Sequence, residues 1–234
     1  MRSMLTLRAV ARLALQPPRV LMTKRNQLKA FSTSVKAYSS VASQLSECLN
    51  EEIRAEKELE SQNLQQASFP GFKITTTDAE VRLTKKHNNE DILVVFNVNH
   101  SVDMGEDFES ESSEAPPVPV ALPPFTVEIT KGNERLCFHL ELCEGENGQY
   151  DFRVEEFYVA PSAKGTEEED VASTVYASSG RYIDSNLHDL LFVRYLEERG
   201  LDAQFCKTLV QYATHYEHAQ YVTLLHKIKA FVAN

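Results

Sequence analysis

The hydrophobic pattern changes period twice along the chain. From Ser43 to Gln62, Leu45, Cys48, Leu49, Glu52, Ile53, Glu56 and Leu59 recur at helical spacing, giving a narrow apolar stripe on a charged helix. Pro70-Gly71 closes that unit. The period then falls to two. "GFKITTT", "AEVRLTKKH", "PFTVEITKG" and "ERLCFHLELC" alternate as strands with one buried face. "DILVVFNVNH" is apolar at both parities, as expected of a strand covered on both sides. "YDFRVEEFYVA" loses its alternation midway, which a bulge near Glu155-Glu156 reconciles. "TVYASSGRY" supplies a seventh short extended segment. "HNNED" and "GENGQ" read as turns.

The last fifty residues return to helical spacing. Asp184 or Ser185 caps a helix running to Arg199, with Leu187, Leu190, Leu191 and Tyr195 expected inward. Gly200 suits the left-handed residue that ends a helix, and Asp202 suits the cap of the next. That last helix carries Phe205, Leu209, Tyr212, Ala213, Tyr216, Leu224, Ile228 and Phe231. The expected class is α+β: one helix, about seven antiparallel strands, two helices.

Charge adds a division that the pattern does not show. Residues 1–46 hold eight of the 24 lysines and arginines and no acid. Arg8, Arg12 and Arg19 cluster on one side of a helical wheel that Pro17-Pro18 would end. That is the pattern of a mitochondrial transit segment, with "KAFSTS" a place for processing. Residues 47–234 are then a single acidic domain at net −18, with sixteen basic residues against all 34 acids. No run of eighteen apolar residues reads as a transmembrane helix. Such a body repels nucleic-acid phosphates and attracts basic proteins. "RLTKK" at 82–86 is the best basic patch for direct RNA binding, and an exposed strand face explains it equally well.

The negative charge is concentrated in two stretches, 103–124 and 165–172. The first holds Asp103, Glu106, Asp107, Glu109, Glu111 and Glu114 and then five prolines; the second holds Glu167, Glu168, Glu169 and Asp170. Two readings stay open: solvated loops, or segments that dock basic partners in a salt-sensitive way. Calcium binding is excluded for the first stretch, which lacks the ligand spacing and central glycine of an EF-hand. Catalytic chemistry finds no support. The chain has no GxSxG, P-loop, GxGxxG or HExxH. His215 and His218 lack a helix-spaced acid to complete a metal set. Cys137 and His139, two apart on one strand, reach each other poorly. The four cysteines have no zinc or CxxC spacing. No cofactor, metal or catalytic residue is expected.

The carboxyl end resembles the mitochondrial acidic matrix proteins, also called the mitochondrial glycoprotein family. The matched pattern is Leu187, Leu190-Leu191, Leu196, "RGLD" at 199–202, Phe205, Leu209, Glu217, Tyr221, Leu225, Ile228-Lys229 and Phe231-Val232. "LNEEIRAEKE", "VVFNVNHS", "PPFTVEITKG" and "FRVEEFYV" extend the resemblance over roughly 45–233. The vertebrate member is a multiligand protein that binds a complement subcomponent and hyaluronan. The resemblance implies a doughnut-shaped homotrimer without enzymatic activity, located in the mitochondrial matrix. It implies binding of many ligands and support of mitochondrial translation, ribosome function and oxidative phosphorylation; the charge of the domain points to basic ribosomal or RNA-associated proteins as clients, with direct RNA binding the alternative. Residues 160–182 match poorly, and loop length and charge vary within the family.

Overall fold

A computed structural model describes residues 41–63, 67–103, 120–145, 148–162 and 175–233. Helix α1 (Val41–Asn63) leads into β1 (Lys73–Thr77), β2 (Glu80–His87) and β3 (Glu90–Asn97). A short pair, β4 (Val102–Asp103) and β5 (Val120–Ala121), precedes β6 (Phe125–Lys131), β7 (Glu134–Glu144), β8 (Tyr150–Pro161) and β9 (Ser178–Ser179). Helix α2 starts as an α-turn at Ser185–His188, widens to a π-helix at Asp189–Arg194 and finishes at Tyr195–Glu197. Helix α3 (Ala203–Ala233) ends the chain's described part. The main sheet has seven antiparallel strands in the order β1-β2-β3-β6-β7-β8-β9, so the β4–β5 pair is an excursion between two neighbouring strands.

Alternation decides which face is buried. Val81 and Leu83, then Ile92, Val94 and Phe96, then Phe125, Val127 and Ile129, then Phe138 and Leu140 all point to one side and are fully buried. Phe192 and Leu196 of α2 and Phe205, Leu209 and Ala213 of α3 close over them. Leu93 and Val95, on the other side of β3, are only half-buried. The expected double coverage of this strand is therefore not met within one chain, because both carboxyl-terminal helices lie on the same sheet face.

In β8 the register shifts opposite His139 and Leu140: Glu156 pairs His139, Val154 pairs Leu140, and Glu155 is the extra residue. One added residue turns Phe157 to the parity of Phe152 and Val154, which is what the broken alternation requires. The seventh strand is only two residues long. It lies so close to β8 that a Cβ on Gly180 would fall 2.1 Å from the Val154 carbonyl oxygen.

The inward face of α2 differs from the expected one. Leu187 and Leu190 are about half exposed, and Phe192 and Leu196 are buried instead. A π-turn holds more residues than an α-turn, so it rotates the following side chains relative to an α-helical wheel. The far end of α3 is also reassigned. Leu224 and Phe231 are exposed, and Val222 and Leu225 are buried. There the helix no longer faces the sheet but packs antiparallel on α1, through Leu49, Ile53, Tyr221, Leu225 and Ile228.

Candidate functional site

The acidic stretch leaves and re-enters the fold at a fixed point. Val102 pairs Ala121 and Asp103 pairs Val120, and the Leu122 amide donates to the Ser101 carbonyl at 2.7 Å. Ala121 is fully buried, and its amide donates to the Thr214 hydroxyl of α3 at 2.9 Å. The β5 end of the excursion is thus held on α3, and the β4 end is held by its pairing with β5. Glu106, Asp107, Glu109, Glu111 and Glu114 lie outside the described residues, as do Glu167, Glu168, Glu169 and Asp170 of the second acidic stretch.

The "RGLD" segment forms a knot around the buried Arg199 and Leu201. Gly200 has φ +84°, the left-handed conformation that costs a glycine nothing. Asp202 accepts from the Phe205 amide at 2.8 Å, capping α3. Arg199, almost entirely buried, donates from Nη2 and Nε to the Glu90 carboxylate at 2.7 and 2.9 Å. Its Nη1 donates to the Tyr195 carbonyl at 2.7 Å, and the guanidinium stacks 3.3 Å above the Tyr195 ring. Lys85 Nζ donates to the Arg199 carbonyl at 2.8 Å. These residues weld the α2–α3 corner to the β2–β3 hairpin, which is a stabilising task.

The uncovered sheet face carries the remaining polar chemistry. Arg135 clasps both oxygens of Glu128 at 3.0–3.1 Å. Cys137 is buried beside them. Burial, with help from the Glu128 charge, pushes its thiol up to about 11. His139 does not reach it; its Nε2 lies 3.2 Å from the Tyr158 hydroxyl across the β7–β8 pairing. Tyr158 is itself pushed up to about 12, mainly by burial. A protonated thiol and an imidazole engaged elsewhere do not make a nucleophile and base.

The other motifs resolve in the same way. Arg82 pairs with Glu80 at 2.6 Å, Lys86 pairs with Asp91 at 2.8 Å, and Lys85 turns to Arg199, so "RLTKK" is not a free basic strip. His218 meets Glu56 of α1 at 2.9 Å. That acid comes from a different helix, and sequence spacing within α3 gave no sign of it. Among the described residues no three His, Cys, Asp or Glu side chains converge as a metal set, and all four cysteines are free. No described helix is long and apolar enough to cross a membrane.

Comparison with known proteins places this geometry. Residues 49–232 match the family model described as Mitochondrial glycoprotein. "Conserved regulator of innate immunity protein 3" of Caenorhabditis elegans is 63% identical over 232 residues, 97% of each chain. The human "Complement component 1 Q subcomponent-binding protein, mitochondrial" is 30% identical over 195 residues, 79% of this chain and 69% of that protein. Among solved structures, a Leishmania major protein described as a sequence homologue of human p32 superposes with TM-score 0.60 at 18% identity. It is matched over 82% of this chain and 99% of its own. The Trypanosoma brucei p22 protein gives TM-score 0.58 at 19% identity, over 82% of this chain and 98% of that one.

Proposed function

Since this chain belongs to the mitochondrial glycoprotein family, we propose that it is a non-enzymatic, acidic multiligand protein of the mitochondrial matrix. It binds basic clients, above all ribosomal and RNA-associated proteins, and so supports mitochondrial translation and oxidative phosphorylation. The basic start directs import and is cut between Ser32 and Ser46, which leaves the domain at 47–234 with its net charge of −18. The observation that carries this reading is where the charge sits. Residues 104–119 and 163–174 together contain nine acids and one lysine, and the strands flanking the first of these segments pair with each other and bond α3 through Ala121. A homotrimer presents three copies of each segment, so weak attractions for one basic client add.

Capture of this kind is fast, promiscuous and sensitive to salt. The test is crosslinking in intact mitochondria followed by identification of partners, for the wild type and for a variant lacking 105–118. Basic proteins should dominate the wild-type set, and their retention on purified protein should fall steeply from low to high salt. Retention that is salt-insensitive and unchanged by the deletion would overturn the docking role. RNA that stays bound after all protein clients are stripped would instead support direct RNA binding. The paired state of Arg82 and Lys86 argues against that outcome. The 63% identity to a protein named for innate immune regulation supports a second role of that kind. Its test is whether depletion alters the immune response to infection.

A further inference from the structure

Between the start of β8, the π-turn of α2 and the first turn of α3 lies a cleft of about 150 Å³. Its floor is apolar: Val154, Phe192 and Leu201 are buried and Phe152 is half-buried. Its rim is acidic: Asp151, Glu197 and Asp202 are all exposed. Val193 forms a lip.

The rim charges are not balanced. Elsewhere on the surface Arg153 pairs with Glu141, Arg181 with Glu155 and Arg194 with Asp189. Among the described residues, no lysine or arginine pairs with Asp151, Glu197 or Asp202. Asp151 accepts from the Phe152 amide and Asp202 from the Phe205 amide, each through Oδ1. The amino-terminal dipole of α3 opposes this field with only about half a unit charge, against three carboxylates. The field also reaches the protein beneath: after burial itself, Asp151 is the largest influence holding the Cys206 thiol up, at about 12.

An apolar floor beneath an unbalanced acidic rim complements one kind of side chain: an aliphatic or planar stem ending in a cation. We propose that this cleft receives a single arginine side chain from a basic segment of a partner protein, stem on Phe152 and Phe192, guanidinium between Asp151 and Glu197. Arginine fits better than lysine because its planar fork stacks on aromatic rings and bonds carboxylates in pairs. The inference rests on the reading that the protein captures basic clients, and it locates part of that capture on folded surface outside the acidic loops.

The experiment measures anisotropy of a fluorescein-labelled hexa-arginine peptide against the full chain at low salt. Three variants are compared with wild type: Asp151→Asn/Glu197→Gln, which removes rim charge; Val193→Trp, which fills the cleft without changing charge; and deletion of 105–118. Asp202 is left intact because it caps α3. The charge variant and the Trp variant should each weaken binding about tenfold, and by the same factor when combined with the deletion. If both bind within twofold of wild type while the deletion abolishes binding, the cleft is refuted and the client-binding function stands. Weakening by the charge variant but not by Val193→Trp also refutes insertion, since a diffuse field would then suffice. Failure of the wild type to bind the peptide overturns the functional reading and the cleft with it.

Discussion

The Glu90–Arg199 pair offers a measurable test of how the fold is held. Both side chains are over nine-tenths buried, and the pair ties the hairpin start of β3 to the last residue before the α2–α3 turn. Replacing Glu90 with leucine leaves a buried guanidinium that keeps the Tyr195 carbonyl and ring but loses two charged hydrogen bonds. Stranding one partner of a buried pair costs about 3–5 kcal/mol. For a domain of this size each kcal/mol lowers the melting temperature by about 2–4 °C, so the single variant should melt about 6–20 °C lower. Arg199→Met should cost about as much, since the one cation it leaves near Glu90 among the described residues is Lys131, 3.6 Å away and largely exposed. The double variant Glu90→Leu/Arg199→Met strands no charge. It loses the bond to the Tyr195 carbonyl and should fall only about 1–2 kcal/mol below wild type. Thermal melts by circular dichroism, at one fixed protomer concentration, give the double-mutant cycle. If the single losses add in the double variant, or either single costs under about 1 kcal/mol, the pair is not the clasp described here.

Five further outcomes follow from the geometry. At pH 8, iodoacetamide should label exposed Cys48 first, while Cys137 and Cys206, pushed up to about 11 and about 12, should label only after unfolding; mass spectrometry of labelled peptides reads this. Because those two thiols keep their protons in the fold above the ordinary thiol value of 9.0, stability should be intact below that value and fall as pH rises toward about 11. Glu155 is held below the ordinary carboxylate value by its hydrogen bonds to Arg153 and Arg181, so its contribution is present above that value and lost as pH falls through its folded value; Glu155→Gln should flatten the acid limb of a melting-temperature profile. Gly200→Ala places a side chain at φ +84° with its Cβ 2.7 Å from Lys85 Nζ and should cost about 1–2 kcal/mol, and Asp202→Ala should cost about 1 kcal/mol by removing a cap. Denaturant unfolding measures both.

What could be read from the sequence depended on the range of the interaction. Strand parity is local, so the buried faces of β2, β6 and β7 were legible, and the lost alternation at Glu155-Glu156 located the bulge; β3 is apolar at both parities, so its pattern did not tell one face from the other. The positive-φ glycine and the cap at 200–202 were legible for the same reason: each is dictated by one or two residues. Leu187 and Leu190 were misread because the wheel assumed α-helical pitch, and a π-turn has no simple pattern of its own. Which apolar residues at the end of α3 are buried was not legible, because that end faces α1 and not the sheet, which depends on where a helix far earlier in the chain is placed. Glu90 and Tyr158 were not singled out, and Glu56 was read only as one position of the stripe on α1. Each acquires its role from a partner on a different element, and no spacing within one segment encodes such a meeting.

That division by range bears on function. On the described surface, arginines and lysines are spent largely within the fold: Arg82, Arg135, Arg153, Arg181, Arg194 and Arg199 each hold a carboxylate within 4 Å. Among the described residues, the acids of the cleft rim hold no lysine or arginine, and the sequence is densest in acid at 104–119 and 163–174. Paired charges contribute to stability and have little attraction left for a ligand, since each field is cancelled at close range. Unmatched charges do the reverse: they repel one another within the fold and are relieved when a basic ligand arrives. Stability and capture should therefore respond to different substitutions. Neutralising Glu128 should lower the melting temperature and leave hexa-arginine binding unchanged, because it breaks the clasp with Arg135 and frees a cation far from any ligand. Neutralising Glu197 should do the opposite. Measuring melting temperature and peptide affinity on the same two variants tests the separation, and a variant that moved both together would show that the stabilising and ligand-attracting charges are one set.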